Sequence, residues 1–208
     1  MRYGKIVCIG QNYREHIKEL SGQEPKEPVI FLKPASSLIR NNEDIIIPPG
    51  VGRVDHEVEL ALIVGAKASH VPKDEALSFI SHIAVFNDVT ARDVQSAYRK
   101  AGLPWALSKG MDTFAPMSRP VPIGSVKDVH CLDLRLKVNG EVRQEGCTDM
   151  MIFPPEILIE FISKYMTLEP GDIIATGTPS GVSPIHPGDI VEASIDGVGR
   201  ITNRVVGA

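Results

Sequence analysis

Short apolar runs, rather than long helical stripes, organise this chain. Runs rich in aliphatic and β-branched residues recur at 5–9, 29–32, 44–47, 57–64, 83–86, 132–138, 172–176, 190–196 and 200–206. Gly, Pro or Asn bound them, and they predict strands. Helical periodicity is scarcer. It appears at about 11–20, at 73–80 behind Pro72, at 92–101, and most clearly at 154–166. In the last of these Pro154 and Pro155 can open a helix, and Ile157, Leu158, Phe161 and Ile162 fall along one side. Asn139-Gly140 between two strand-like segments predicts a tight hairpin. Strands and helices do not alternate regularly, so the pattern predicts an α+β fold rich in antiparallel strands and disfavours a doubly wound parallel sheet.

One run departs from this pattern in a way that carries chemistry. In Asp55-His56-Glu57-Val58-Glu59-Leu60-Ala61-Leu62-Ile63-Val64-Gly65, two carboxylates stand two residues apart inside apolar sequence. Alternation places Glu57 and Glu59 on one strand face while Val58 and Leu60 point to the core. Like charges ~5 Å apart repel by about 3 kcal/mol at an effective dielectric near 20, so a proton or a cation must sit between them. The run Ile83-Ala84-Val85-Phe86-Asn87 ends in a third acid, Asp88. Three carboxylates completed by water or substrate suit Mg²⁺ or Mn²⁺ better than Zn²⁺, which favours His and Cys. The competing reading of the Glu pair is the solvated face of an edge strand.

With 208 residues, 43% of them hydrophobic, and a net charge of -4, the chain can build one sizeable core, so a single domain over 1–208 is expected. Its Lys and Arg are scattered and form no basic stripe for nucleic acid. No apolar stretch approaches the ~18 residues of a membrane span. Met1-Arg2-Tyr3-Gly4-Lys5 leads directly into a strand, so a cytoplasmic protein is the expectation. Cys8, Cys131 and Cys147 lack CxxC spacing, which argues against a disulfide framework or a zinc site, and Cys8 reads as a small core residue.

Four further segments carry candidate chemistry. His16 and Glu19 stand at i, i+3 on a short helical segment; a carboxylate beside an imidazole fixes its tautomer and suits it to act as a general base, although a solvated surface pair has the same spacing. Arg92 and Gln95 follow Asp88 closely. Arg92 can clamp a substrate carboxylate or can pair with Asp93 or Glu75. Lys109 lies among small residues and can stabilise an enolate or oxyanion, or stand exposed. The Gly/Thr/Pro loop Thr176-Gly177-Thr178-Pro179-Ser180-Gly181 can hold an anion through backbone N–H groups and hydroxyls, or be a plain turn; it lacks the GK[ST] element of a P-loop.

Taken in order, GQNYREHIKEL, FLKP, DHEVELALIVG, FNDVTARDVQ, LPWALSKGMDTFAPM, VNGEVRQEG and LEPGDIIATGTPSGV resemble the fumarylacetoacetate hydrolase family, in its short acylpyruvase branch, over nearly the whole chain. The resemblance implies a mixed β-sandwich roll, a homodimer, and one Mg²⁺ or Mn²⁺ per subunit on Glu57, Glu59 and Asp88. It assigns His16 and Glu19 as the catalytic dyad, Arg92, Gln95 and Thr178 to substrate, and Lys109 to the reacting enolate, with a lesser part for Lys33. The implied activity is metal-dependent hydrolysis of the C–C bond of 2,4-dioxo acids such as fumarylpyruvate or acetylpyruvate to pyruvate and a carboxylate, with oxaloacetate decarboxylation through the same enolate. The alternatives are isomerisation, hydration or decarboxylation of unsaturated 2-oxo acids from aromatic catabolism, and, from a different class, a non-catalytic metal-binding scaffold. The polar stretch that ends the first helical segment predicts a lid at about 12–24.

Overall fold

The computed structural model describes residues 3–19 and 22–208. A six-stranded sheet runs in the order Val121–Pro122, Ile80–Asn87, Val58–Val64, Ile173–Ala175, Ile6–Gly10, Val29–Lys33. Its neighbours are antiparallel except Ile6–Gly10 and Ile173–Ala175. A five-stranded sheet runs Glu141–Cys147, Asp133–Val138, Ile190–Ile195, Gly199–Gly207, Ile45–Ile47, with the last pair parallel. The expected hairpin joins the first two of these strands, and Asn139 and Gly140 take the positive φ values, 53° and 83°, that a tight two-residue turn requires. This is the strand-rich mixed α+β architecture that the apolar runs predict. Among the described residues no helix is long and apolar enough to cross a membrane.

The two sheets share one core, and a smaller one lies behind the first sheet. Val58, Leu60, Leu62 and Val64 enter the main core with Leu134, Leu136, Val191 and Ile201 from the five-stranded sheet. Ala61 and Ile63, on the opposite face, pack with Ile6, Cys8, Ala84 and Phe86. The Val58–Val64 strand is therefore buried on both sides, and the edge-strand alternative for its glutamates does not hold. By the alternation of the strand, Glu57 and Glu59 belong to the face of the smaller core, at the end where apolar side chains give way to acids. Cys8 is fully buried there, as expected for a small core residue.

Element ends differ from the apolar pattern where side chains compete with the backbone. The first helix, described over Arg14–Glu19, begins only at Arg14, because Gln11 takes φ 60° and Asn12 binds across the fold. Its amide donates to the carbonyls of Thr176 (2.8 Å) and Phe153 (3.0 Å), and its Oδ1 accepts from Phe153 N (2.8 Å). The helix expected over 73–80 is Lys73–Ala76 followed by the tighter turn Leu77–Phe79, and the next strand already begins at Ile80. Ala106–Lys109, outside the expected helical segments, is a helical turn.

Candidate active site

Strand pairing assembles the acidic triad. The register Val58↔Asn87 and Glu59↔Phe86 brings Asp88 opposite Glu57. Asp88 N donates to Glu57 O (2.8 Å), and Glu57 N donates to Asn87 Oδ1 (2.9 Å). One oxygen from each of Glu57, Glu59 and Asp88 lies within 4.8 Å of the others, and all three residues are buried. The short pair Val54–Asp55 and Thr90–Ala91 sets Asp55 beside the start of the Arg92–Lys100 helix.

Three buried cations surround this cluster. Arg92 donates through Nε to Asp55 Oδ2 (2.7 Å), through Nη1 to Gln95 Oε1 (2.6 Å) and through Nη2 to Glu57 Oε1. Neither partner expected from sequence is used: Asp93 accepts instead from Arg53 N (2.9 Å), and Arg92 pairs with the acids that the short strand pair brings to it. Lys109 donates to Glu57 Oε2 (2.9 Å) and Asp88 Oδ2 (2.5 Å). Lys33 is almost fully buried and donates to the carbonyls of Val89 (3.0 Å), Phe114 (2.8 Å) and Lys109, which pins the end of the helical turn that carries Lys109.

These contacts divide the two glutamates. Burial alone would raise the pKa of Glu57, but Lys109 and Arg92 outweigh it and hold the group well below the usual carboxylate range. Among the described residues no cation pairs with Glu59; burial, then the charges of Asp88 and Glu57, push it well above that range against the smaller opposing pull of Lys109 and the Gly177 amide. Burial disfavours the charge on Lys109, yet Asp88 and Glu57 raise its pKa, so it stays an ammonium. Asp88 Oδ1 is buried and accepts no hydrogen bond, although Lys33 Nζ stands 2.8 Å away, because the lysine's protons go to the three carbonyls. A converging set of oxygens with one lone pair unmatched and one carboxylate short of a counter-charge fits a hard divalent cation.

His16 Nδ1 stands 3.1 Å from Glu19 Oε2, while Glu19 Oε1 accepts from Gly181 N (3.2 Å). Donation from Nδ1–H to the carboxylate leaves the lone pair on Nε2. His16, the triad, Arg92, Gln95, Lys109 and Thr178 all line one open cleft, and Glu19 stands behind His16. The cleft's other wall is aromatic, with Phe31 and Trp105 5.6 Å apart and Lys109 Nζ 4.8 Å above the Phe31 ring.

Sequence reasoning passed over the residues that hold the Thr178 loop. Gln144, almost fully buried, donates to Thr178 Oγ1 and to Pro179 O, each at 2.8 Å, and its Oε1 accepts from Val58 N (3.1 Å). His56 Nδ1, 2.8 Å from the same oxygen, must therefore carry its proton, and Nε2 accepts from Ser183 Oγ (2.9 Å). Burial lowers the pKa of His56, keeping it neutral. Gly177 N donates to Glu59 Oε2 (2.9 Å) at φ 98°, where a Cβ would approach Asn12 Cβ to 2.8 Å. No spacing signal marks Gln144, which sits in a hairpin strand that is otherwise largely exposed.

Residues 5–206 match the fumarylacetoacetate (FAA) hydrolase C-terminal family. The chain belongs to the fumarylacetoacetate hydrolase family. A mitochondrial oxaloacetate tautomerase of Arabidopsis thaliana is 49% identical over 197 residues, covering 95% of this chain and 88% of the relative. The crystal structure of fumarylpyruvate hydrolase from Pseudomonas aeruginosa, in complex with Mn²⁺ and pyruvate, superposes with a TM-score of 0.95 at 30% identity, covering 99% of this chain and 91% of that one. The 5-carboxymethyl-2-hydroxymuconate Δ-isomerase of Mycobacterium smegmatis gives a TM-score of 0.88 at 41% identity, covering 99% and 80%. One family fold thus carries tautomerase, hydrolase and isomerase relatives of this chain.

Proposed function

We propose that this chain is a single catalytic domain that acts, as a homodimer, on small 2-oxo acids by proton transfer at the carbon beside the 2-oxo group, with keto–enol exchange of oxaloacetate as its main reaction. The observation that carries the reading is His16, tied through Nδ1 to Glu19 and basic at Nε2, on the wall of a cleft floored by three carboxylates. The 49% identity to an oxaloacetate tautomerase favours oxaloacetate over the acylpyruvates implied by the motif resemblance alone. Glu57, Glu59 and Asp88 are the residues that would hold Mg²⁺ or Mn²⁺, which would supply positive charge to the 2-oxo acid head and against an enolate.

The chain's own groups divide the remaining work. Gln95, whose Oε1 is taken by Arg92, has amide hydrogens to give, and Thr178, which accepts from Gln144, has its hydroxyl hydrogen; both serve the substrate's 1-carboxylate. Arg92 acts through Glu57 and Gln95, which it positions. His16 Nε2 takes a proton from C3, the Lys109 ammonium stabilises the enolate oxygen without surrendering its own proton, and the proton is returned to that oxygen. No water is consumed. Residues 12–24 close as a lid over the site; residues 20 and 21 of that segment lie outside the described residues.

The second reading is hydrolysis of 2,4-dioxo acids, in which His16 directs water at C4 and the C3–C4 bond breaks to release pyruvate enolate. The likeness to a fumarylpyruvate hydrolase that holds pyruvate favours it. The decisive assay follows decay of enol oxaloacetate, and pyruvate release from acetylpyruvate or fumarylpyruvate, with Mg²⁺, with EDTA, and in His16→Ala. EDTA-sensitive, His16-dependent keto–enol exchange is the expected result. Pyruvate from a dioxo acid without such exchange puts hydrolysis first, and failure of both in metal-loaded protein refutes both.

A further inference from the structure

The helix that follows Asp88 sends three side chains to the cleft, Arg92, Gln95 and Arg99, at the spacing of one helical face. The first two are engaged. Each nitrogen of Arg92 donates to a protein acceptor, and Gln95 accepts from it. Lys109, the remaining cation of the lining, is bound between Glu57 and Asp88. Arg99 differs: it lies two turns further along, is exposed at the cleft rim, and among the described residues its guanidinium forms no ion pair or hydrogen bond.

Resting on the 2-oxo acid reading above, we propose that Arg99 is a specificity-determining residue that receives the far carboxylate of a dicarboxylic 2-oxo acid and so separates such acids from monocarboxylates of the same length. On that reading the floor of the cleft binds the 2-oxo acid head, and the wall of Phe31 and Trp105 carries no positive charge to meet a second anion. A free guanidinium at the open end matches a carboxylate there, with the paired donors that favour bidentate contact. Its neighbour Lys100 has the same charge in the same last helical turn but does not line the cleft, so it reports what helix-end charge and general attraction contribute.

The test is calorimetric binding of 2-oxoglutarate and of 2-oxovalerate, which carries a methyl group where 2-oxoglutarate has its far carboxylate, to the full chain loaded with Mn²⁺ at ~0.15 M salt. Wild type binds 2-oxoglutarate more tightly. Arg99→Gln weakens 2-oxoglutarate about tenfold, as for loss of one charge-assisted contact, and leaves 2-oxovalerate within about twofold. Arg99→Lys restores part of the difference, and Lys100→Gln reproduces none of it. Equal weakening of both ligands in Arg99→Gln, no weakening of 2-oxoglutarate, or the same effect from Lys100→Gln overturns the assignment. A wild type that binds both ligands equally overturns Arg99's part alone, whereas one that binds neither overturns the 2-oxo acid reading beneath it.

Discussion

Gln144→Leu is the substitution that most directly probes how the scaffold holds the site. Leucine approximates the volume of glutamine, so the change removes hydrogen bonds with little change in packing. Four are lost: from Val58 N and His56 Nδ1 to Oε1, and from Nε2 to Thr178 and Pro179. A net bond contributes about 0.5–1.5 kcal/mol, and each buried group left unmatched costs about 1–3 kcal/mol. Thr178 and Ser183 hydroxyls can turn to new partners, while Val58 N in the strand and Pro179 O in the loop are fixed, so a loss of about 3–5 kcal/mol is expected from a total near 5–15 kcal/mol. In urea, with a slope of about 2 kcal/mol per molar, the midpoint falls by roughly 1.5–2.5 M. EDTA in the buffer keeps metal linkage from masking the change. A midpoint within about 0.3 M of wild type, at unchanged slope, would refute the view that this amide clamps the two sheets at the site. Gln144→Glu separates stability from function, because a carboxylate still accepts from Val58 and His56 but draws the Thr178 hydrogen away from the cleft. Its kcat/KM for a 2-oxo acid should fall at least about tenfold, the equivalent of one lost substrate hydrogen bond.

Glu59→Gln should weaken Mn²⁺ binding, read by titration of the apoprotein, by about 100-fold or more and abolish activity with it; full activity at full metal occupancy would contradict the ligand assignment. His16→Ala should suppress C–C hydrolysis by about 10²–10⁴ while oxaloacetate decarboxylation, which needs no activated water, stays within about tenfold; equal loss of both would refute that division of labour. Burial lowers the pKa of His130, but its hydrogen bonds to Glu156 (2.9 Å) and Asp128 (2.8 Å) outweigh this and raise it. That pair therefore stabilises fully below about pH 6.5 and loses its effect as pH rises through the folded value, so the Tm gap between wild type and His130→Asn should narrow from pH 5.5 to 8.5; a constant gap contradicts the assignment. Oxalate bound to the metal-loaded protein should slow hydrogen exchange within residues 12–24, and no slowing anywhere in that segment would remove the lid.

How much of this was legible in the sequence depends on which interactions are local. Strand runs and the Asn139-Gly140 turn are local patterns, and the structure has them at nearly the expected places. The acids of the site were legible because charge inside an apolar run is anomalous wherever the chain folds: Glu57, Glu59 and Asp88 converge as that anomaly requires. Their neutralisation was not. Arg92 reaches Asp55 and Glu57 because a two-residue strand pair places them there, and Lys33 meets the Lys109 loop across 76 positions of chain. Gln144 stands inside the run VNGEVRQEG, but nothing singled it out there, since an amide in a hairpin strand has the same spacing whether it faces water or the core.

The solvated-edge alternative for the glutamates fails for an instructive reason. Alternation alone cannot reveal a second core, and Ala61 and Ile63 read as well on a solvated face as against Cys8 and Phe86. Burial on both sides is what gives the acids their chemistry. At a solvated edge, water would screen Glu57 from Glu59; here burial and neighbouring charge drive one down and the other up, although they stand two residues apart. A site that holds one carboxylate ionised and starves the next of a counter-charge is poised to accept a cation. In the proposed reaction the same low-dielectric floor would strengthen the action of Lys109 on an enolate relative to water. The apolar residues of the smaller core thus set the electrostatics of the triad, and Cys8→Ser beneath it should weaken Mn²⁺ binding, read by titration of the apoprotein, without removing any ligand.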